Sequence, residues 1–131
     1  MGVVEHRACV FKGGSATCAA RVFGANALSI TSASIASAKY TISLIDPDDE
    51  NEDAAVDGHT AVALTVAAVV FDELQQGGIW LADSVGYNFA HTIDVSSHAA
   101  FALRRREYRI VYELQPVSGQ VIIVDFRVKV V

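Results

Sequence analysis

The sequence predicts an all-β protein, an antiparallel sandwich of about seven to nine strands with at most one short helical turn. Three observations point there. Turn-forming residues recur at short intervals: Gly13-Gly14, Gly24-Ala25-Asn26, the run 46–58, Gly77-Gly78, Gly86, Ser96-Ser97 and 116–119. The segments between them alternate apolar and polar residues with period two, the pattern of a strand with one buried face. The 131 residues are 52% apolar and 19% charged, which excludes a disordered chain and suffices for a core without metals or disulfides.

The alternation is clearest toward the C-terminus. Tyr87, Phe89, His91, Ile93 and Val95 form one set, and Tyr40, Ile42 and Leu44 a shorter one. Tyr108, Ile110, Tyr112 and Leu114 face a second long run of Ile122, Val124, Phe126, Val128 and Val130. A four-residue turn between these two runs would pair Tyr108 with Arg127 and Ile110 with Asp125, mixing faces. A three-residue turn, Val117-Ser118-Gly119, pairs Leu114 with Ile122, Tyr112 with Val124, Ile110 with Phe126 and Tyr108 with Val128. All four pairs are then apolar or aromatic, and Gly119 falls where a left-handed residue is needed. Weaker strands are expected near 3–11, 16–23, 30–37 and 60–64. Thr65 opens a short helical turn near 65–68, and a brief strand follows it because the valines there are β-branched.

Length and the lack of a linker imply one domain over 1–131. The longest uncharged apolar stretch, 61–71, is eleven residues, short of the about 20 needed to span a membrane as a helix. Met1-Gly2-Val3-Val4-Glu5-His6-Arg7 shows no secretory pattern, so the expected product is made in the cytoplasm without an export signal. The chain holds 20 Ala and 18 Val, and its mean hydropathy is positive. Some of that apolar surface is expected to be covered by other subunits.

Charge is concentrated. Asp46, Asp48, Asp49, Glu50, Glu52, Asp53 and Asp57 are seven of the fifteen acids, leaving eight acids against ten bases elsewhere. Arg104, Arg105 and Arg106, with Arg109, form the one basic cluster. These two segments are the expected interface residues, opposite in sign and suited to apposition between neighbouring subunits. At a net charge of −5, four arginines do not make a nucleic-acid face. The acidic run is no EF-hand, since Asn51 replaces its glycine and Asp57 its closing glutamate.

No catalytic constellation is visible. His6, His59, His91 and His98 show no HxH or HExxH spacing, and no GxSxG, Walker or GxGxxG motif occurs. No catalytic, metal or cofactor-binding residue is assigned, and no enzyme activity is expected. His91 reads as a core or interface residue, and Trp80 as packing over a loop. Cys9 and Cys18 lack the spacing of a zinc site. A two-residue turn at Gly13-Gly14 would place Cys9 opposite Cys18, with free thiols the expected state in a reducing compartment.

The first half carries Val10-Phe11-Lys12-Gly13-Gly14-Ser15-Ala16-Thr17, then Val22-Phe23-Gly24-Ala25-Asn26-Ala27-Leu28-Ser29-Ile30-Thr31. Gly86-Tyr87-Asn88-Phe89 follows the acidic run, and Tyr108-Arg109-Ile110-Val111-Tyr112 opens the closing hairpin. This succession resembles the small immunoglobulin-like β-sandwiches of bacteriophage particles, including the N-terminal domain of phage baseplate upper proteins. The antibody-type Cys…Trp…Cys spacing is absent, because both cysteines precede Trp80. The resemblance implies a virion or prophage structural component whose partners are its own copies and other structural proteins, with no nucleic acid and no membrane. It implies no catalytic residue. The competing expectation is a cell-surface adhesion or carbohydrate-binding sandwich, which would present several aromatics on one face, against 8% aromatic content here.

Overall fold

The structure is a computed structural model. It describes 16–24, 28–46, 48, 53–76, 86–96, 98, 100–103 and 105–130, and the backbone of 3–10. Nine strands are seen among these residues: β1 (Val3–Val10), β2 (Thr17–Ala20), β3 (Ile35–Leu44), β4 (Ala54–Ala55), β5 (Val62–Leu64), β6 (Val70–Gln75), β7 (Tyr87–Thr92), β8 (Glu107–Pro116) and β9 (Ile122–Val130). One sheet runs β1-β9-β8-β3-β4, with β5 also on β3, and the other runs β2-β7-β6. Their facing side chains make one core, so the fold is the expected all-β sandwich.

The β8–β9 hairpin adopts the three-residue-turn register, with Leu114↔Ile122, Tyr112↔Val124, Ile110↔Phe126 and Tyr108↔Val128. All eight side chains are buried. Gly119 has φ +103°, the left-handed conformation that lets so short a turn close. Strand β3 carries a bulge between Ile35 and Ser37, so Ile35 and Ala38 face the core three residues apart before the ordinary alternation through Tyr40 and Ile42 resumes.

Tyr112 is fully buried at the centre of the core. Its ring meets Phe89 at 4.8 Å, Phe126 at 5.6 Å and Tyr40 at 6.0 Å between centroids, tilted or edge-to-face. The small side chains Cys18 and Ala20 of β2 lie opposite His91 and Phe89 of β7 and leave room for these rings. Strand β7 ends at Thr92, earlier than the alternation implies, and Asn88 of its other face is also buried. The Asn88 amide accepts from the Val22 N–H at 2.7 Å and donates to the Val22 carbonyl at 2.9 Å. It thereby satisfies the backbone where β2 has already ended.

The helical turn α1 (Val66–Val69) passes directly into β6 at Val70, as expected. The segment expected as a strand over 30–37 instead contains a 3₁₀ turn, Ser32–Ser34. The Thr31 N–H donates to Ser34 Oγ at 2.9 Å, and that hydroxyl donates to the Thr31 carbonyl at 2.8 Å. Such local bonds compete with a ladder. Asp72 of β6 accepts from the Ser32 N–H and hydroxyl at 2.7 and 2.9 Å, which fastens the turn to the smaller sheet.

One pairing differs from expectation. β1 runs parallel to β9, with Cys9 registered on Lys129, whereas Cys18 registers on His91 in the other sheet. Cys9 and Cys18 are therefore not cross-strand neighbours. The long outer edge of β9 outcompetes a hairpin with the four-residue β2.

Candidate functional site

The two charged segments meet at one end of the larger sheet, where β3 stops and β8 starts. The Ile45 N–H donates to the Glu107 carbonyl at 3.0 Å, and Arg106 Nη2 donates to the Ile45 carbonyl at 3.2 Å. Arg109 Nη1 pairs with Asp53 Oδ2 at 2.8 Å, and its Nε lies 3.7 Å from Asp125 Oδ2. Arg105, at φ +66°, donates its N–H to the Val130 carbonyl at 2.9 Å. Asp46 Oδ1 accepts from the Asp48 N–H at 2.8 Å, and Asp57 is fully exposed, 4.0 Å from His98 Nδ1. Asp49, Glu50, Glu52 and Arg104 lie outside the described residues, as do Trp80 and the Gly13-Gly14 and Gly77-Gly78 turns. Among the described residues, Asp46, Asp48 and Asp53 thus share an end of one chain with Arg105, Arg106 and Arg109. An apposition of opposite ends between neighbouring subunits does not follow from this placement.

The other end is apolar. A groove of about 550 Å³ runs between residues 28–31 and the β8–β9 turn, lined by Leu28, Ile30, Ile35, Pro116, Val117 and Ile122 among others. Phe23 bridges to Ser29, and the Gly24 N–H donates to the Leu28 carbonyl at 2.9 Å. Leu28 is 66% exposed, Val117 69% and Phe23 50%. These are the three most exposed large apolar side chains among the described residues. Nothing in the spacing of the sequence draws them together, because the loop and hairpin that hold them are almost ninety positions apart.

Between the ends lies a buried polar network. His91 Nδ1 lies 2.9 Å from the Tyr112 hydroxyl, which also bonds the Cys18 thiol. The His91 ring faces Tyr40 at 5.2 Å, and the Tyr40 hydroxyl lies 2.7 Å from His59 Nδ1. His59 Nε2 reaches the His98 carbonyl at 2.8 Å. Burial pushes the Cys18 thiol up to about 11, only partly offset by its bond to Tyr112, so it is a poor nucleophile at neutral pH. Burial also raises Tyr112 and Tyr40, the latter with help from the nearby Asp94 charge, and lowers His91. Of the two histidines, only His91 is legible in the sequence, through its place in an alternating strand. The network itself depends on the convergence of β3, β7 and the 56–61 loop.

Among the described residues, no three His, Cys, Asp or Glu side chains come together as a metal would require. No helix among them is long and apolar enough to cross a membrane. No family model, curated protein or solved structure matches this chain.

Proposed function

We propose that the protein is a non-enzymatic structural subunit that acts through protein–protein contacts, in a phage or prophage particle as a tail, baseplate or capsid-decorating component. The observation that carries the contact reading is the groove beside the β8–β9 turn, where Leu28 and Val117 line the opening and stand exposed. Exposed apolar side chains around a groove are a feature of interaction sites. The expected partners are other copies of the chain and other structural proteins of the assembly.

The strand order supports the immunoglobulin-like part of the reading. In chain order, β2-β7-β6 occupies the place of strands B, E and D, and β9-β8-β3-β4 that of G, F, C and C′ in a variable-type sandwich. Cys18 on β2 contacts Tyr112 on β8 where antibody domains join the equivalent strands by a disulfide. The particle assignment rests on the sequence resemblance.

Light scattering tests the contact reading. The wild-type protein is expected to self-associate with rising concentration, or to do so once mixed with the products of neighbouring genes. Leu28→Asp together with Val117→Asp should abolish this while leaving the thermal midpoint nearly unchanged, since both side chains are already exposed. A wild-type protein that stays monomeric under all these conditions rejects the reading. Flanking capsid and tail genes are expected for the particle assignment, and a wholly metabolic neighbourhood rejects it.

A further inference from the structure

Of the strands that stand at a sheet edge among the described residues, β1 alone is long and regular. Strands β2, β4 and β5 have four, two and three residues. Strand β6 has six, but its register with β7 shifts between Val70 and Gln75. Strand β1 has eight, contains no Gly or Pro, and keeps step with β9 from Val3↔Ile123 to Val10↔Val130. Its one strand neighbour among the described residues is β9, so its other edge offers a row of main-chain donors and acceptors to a further strand.

Charge in this part of the sheet is sorted by row. Arg7 of β1 registers on Arg127 of β9, which registers on Arg109 of β8. Two positions along, Glu5 registers on Asp125, and Asp125 on Val111. A basic row and an acidic row therefore reach the open edge side by side. Adjacent strands are only about 4.8 Å apart, and like charges in register repel. At its inner end the basic row is answered, since Asp53 pairs with Arg109 at 2.8 Å. At the edge, each row ends on a residue whose β9 neighbour carries the same sign. An opposite charge brought to that edge would be favourable to both rows.

We propose that β1 pairs antiparallel with β1 of a second copy, in the register that sets Glu5 of each copy opposite Arg7 of the other. The two-fold axis passes at His6, and the larger sheet runs on through both subunits. Registers that keep the two core faces on one side differ by two positions. The next in either direction opposes Glu5 to Glu5 or Arg7 to Arg7, so of the three only this one joins opposite charges. In it the basic row Arg109, Arg127, Arg7 of one copy continues into Glu5 and Asp125 of the second, and the axis repeats the match. Main-chain bonds supply the adhesion, and the charged rows select the register. The proposal rests on the assembly reading and adds a contact distinct from the groove: β1 makes the dimer, and the groove lets dimers grow into larger assemblies.

Light scattering on the full chain carrying Leu28→Asp and Val117→Asp isolates this pairing from the groove. At about pH 7.5, where an ordinary histidine is neutral, this parent should show twice the 14.0 kDa of one chain and no growth on concentration. Adding Glu5→Arg sets two arginines opposite each other across the axis, and adding Arg7→Glu instead sets two glutamates there. Each variant should be monomeric. Both remove a like-charge register inside the chain, Glu5 on Asp125 or Arg7 on Arg127, so each should fold with a thermal midpoint no lower than the parent's. Mixed one to one, the two variants should recover the dimer, because every pair across the axis is then of opposite charge. A parent that is monomeric at every concentration, single variants that stay dimeric, or a mixture that stays monomeric overturns the proposal. The groove is judged apart, by growth of the wild type beyond the dimer and its loss in the parent.

Discussion

His91 illustrates how one side chain couples the core to solution conditions. Burial holds its imidazole below the usual histidine range, so the folded protein prefers it neutral. The unfolded chain binds a proton there first as pH drops. The stabilisation is therefore fully present above about pH 6.5 and is lost as pH falls through the lowered native value. Urea midpoints measured at a series of pH values should decline over that window in the wild type. His91→Gln, which can still bond the Tyr112 hydroxyl, should show a shallower decline. Asp72 and Asp94 act in the same sense but over a more acidic window. Their carboxyls are held low chiefly by bonds from Ser32 and Ser96 respectively, so their contribution is retained through mild acid.

At the scale of elements, the β8–β9 hairpin is the best determined part of the fold. Ile110 is fully buried opposite Phe126 on one side and Ile42 on the other. Ile110→Ala should cost about 2–5 kcal/mol, read from chemical denaturation. The turn glycines separate two causes of glycine dependence. Gly119 has a positive φ with nothing within 4 Å of where a Cβ would stand, so Gly119→Ala carries backbone strain alone. About 1 kcal/mol is expected. Gly86 has φ +111° and a Cβ there would lie 2.3 Å from the Gln75 carbonyl oxygen. Gly86→Ala must also push apart the start of β7 and the end of β6, so its loss of stability should clearly exceed that of Gly119→Ala in the same denaturation assay.

Across the whole molecule, charged groups and the apolar-lined groove sit at opposite ends of the larger sheet. Asp46, Asp48, Asp53, Arg105, Arg106 and Arg109 gather at one end, and Phe23, Leu28 and Val117 at the other. On the assembly reading, apolar burial supplies most of the association and the charged end selects orientation and partner. Exposed ion pairs add only about 0–1 kcal/mol each. Changing Arg104, Arg105 and Arg106 to Glu should weaken assembly at low salt, and added salt should mask part of the difference when light scattering is repeated. A modest fall in thermal midpoint should accompany it, because Arg106 also bonds the Ile45 carbonyl within the chain. Loss of assembly that is insensitive to salt would assign the effect to that intrachain bond.

The sequence alone determined whatever depends on neighbours along the chain. Period-two alternation and a glycine at a turn specify β8, β9 and their register, because a slip by one residue would carry every apolar side chain to the wrong face. The same local logic located the helical turn before β6 and β3's Tyr40, Ile42 and Leu44. Tertiary structure decided what depends on distant partners. Strand β1 joins β9 rather than β2, because a ladder is chosen by the edges available and not by proximity in sequence. Asp46, Asp48 and Asp53 proved to share an end with Arg105, Arg106 and Arg109 because β3 and β8 are antiparallel neighbours. His59 became a buried, doubly bonded residue only when β3's Tyr40 and the His98 carbonyl arrived at its two nitrogens, and no spacing in the chain encodes that meeting.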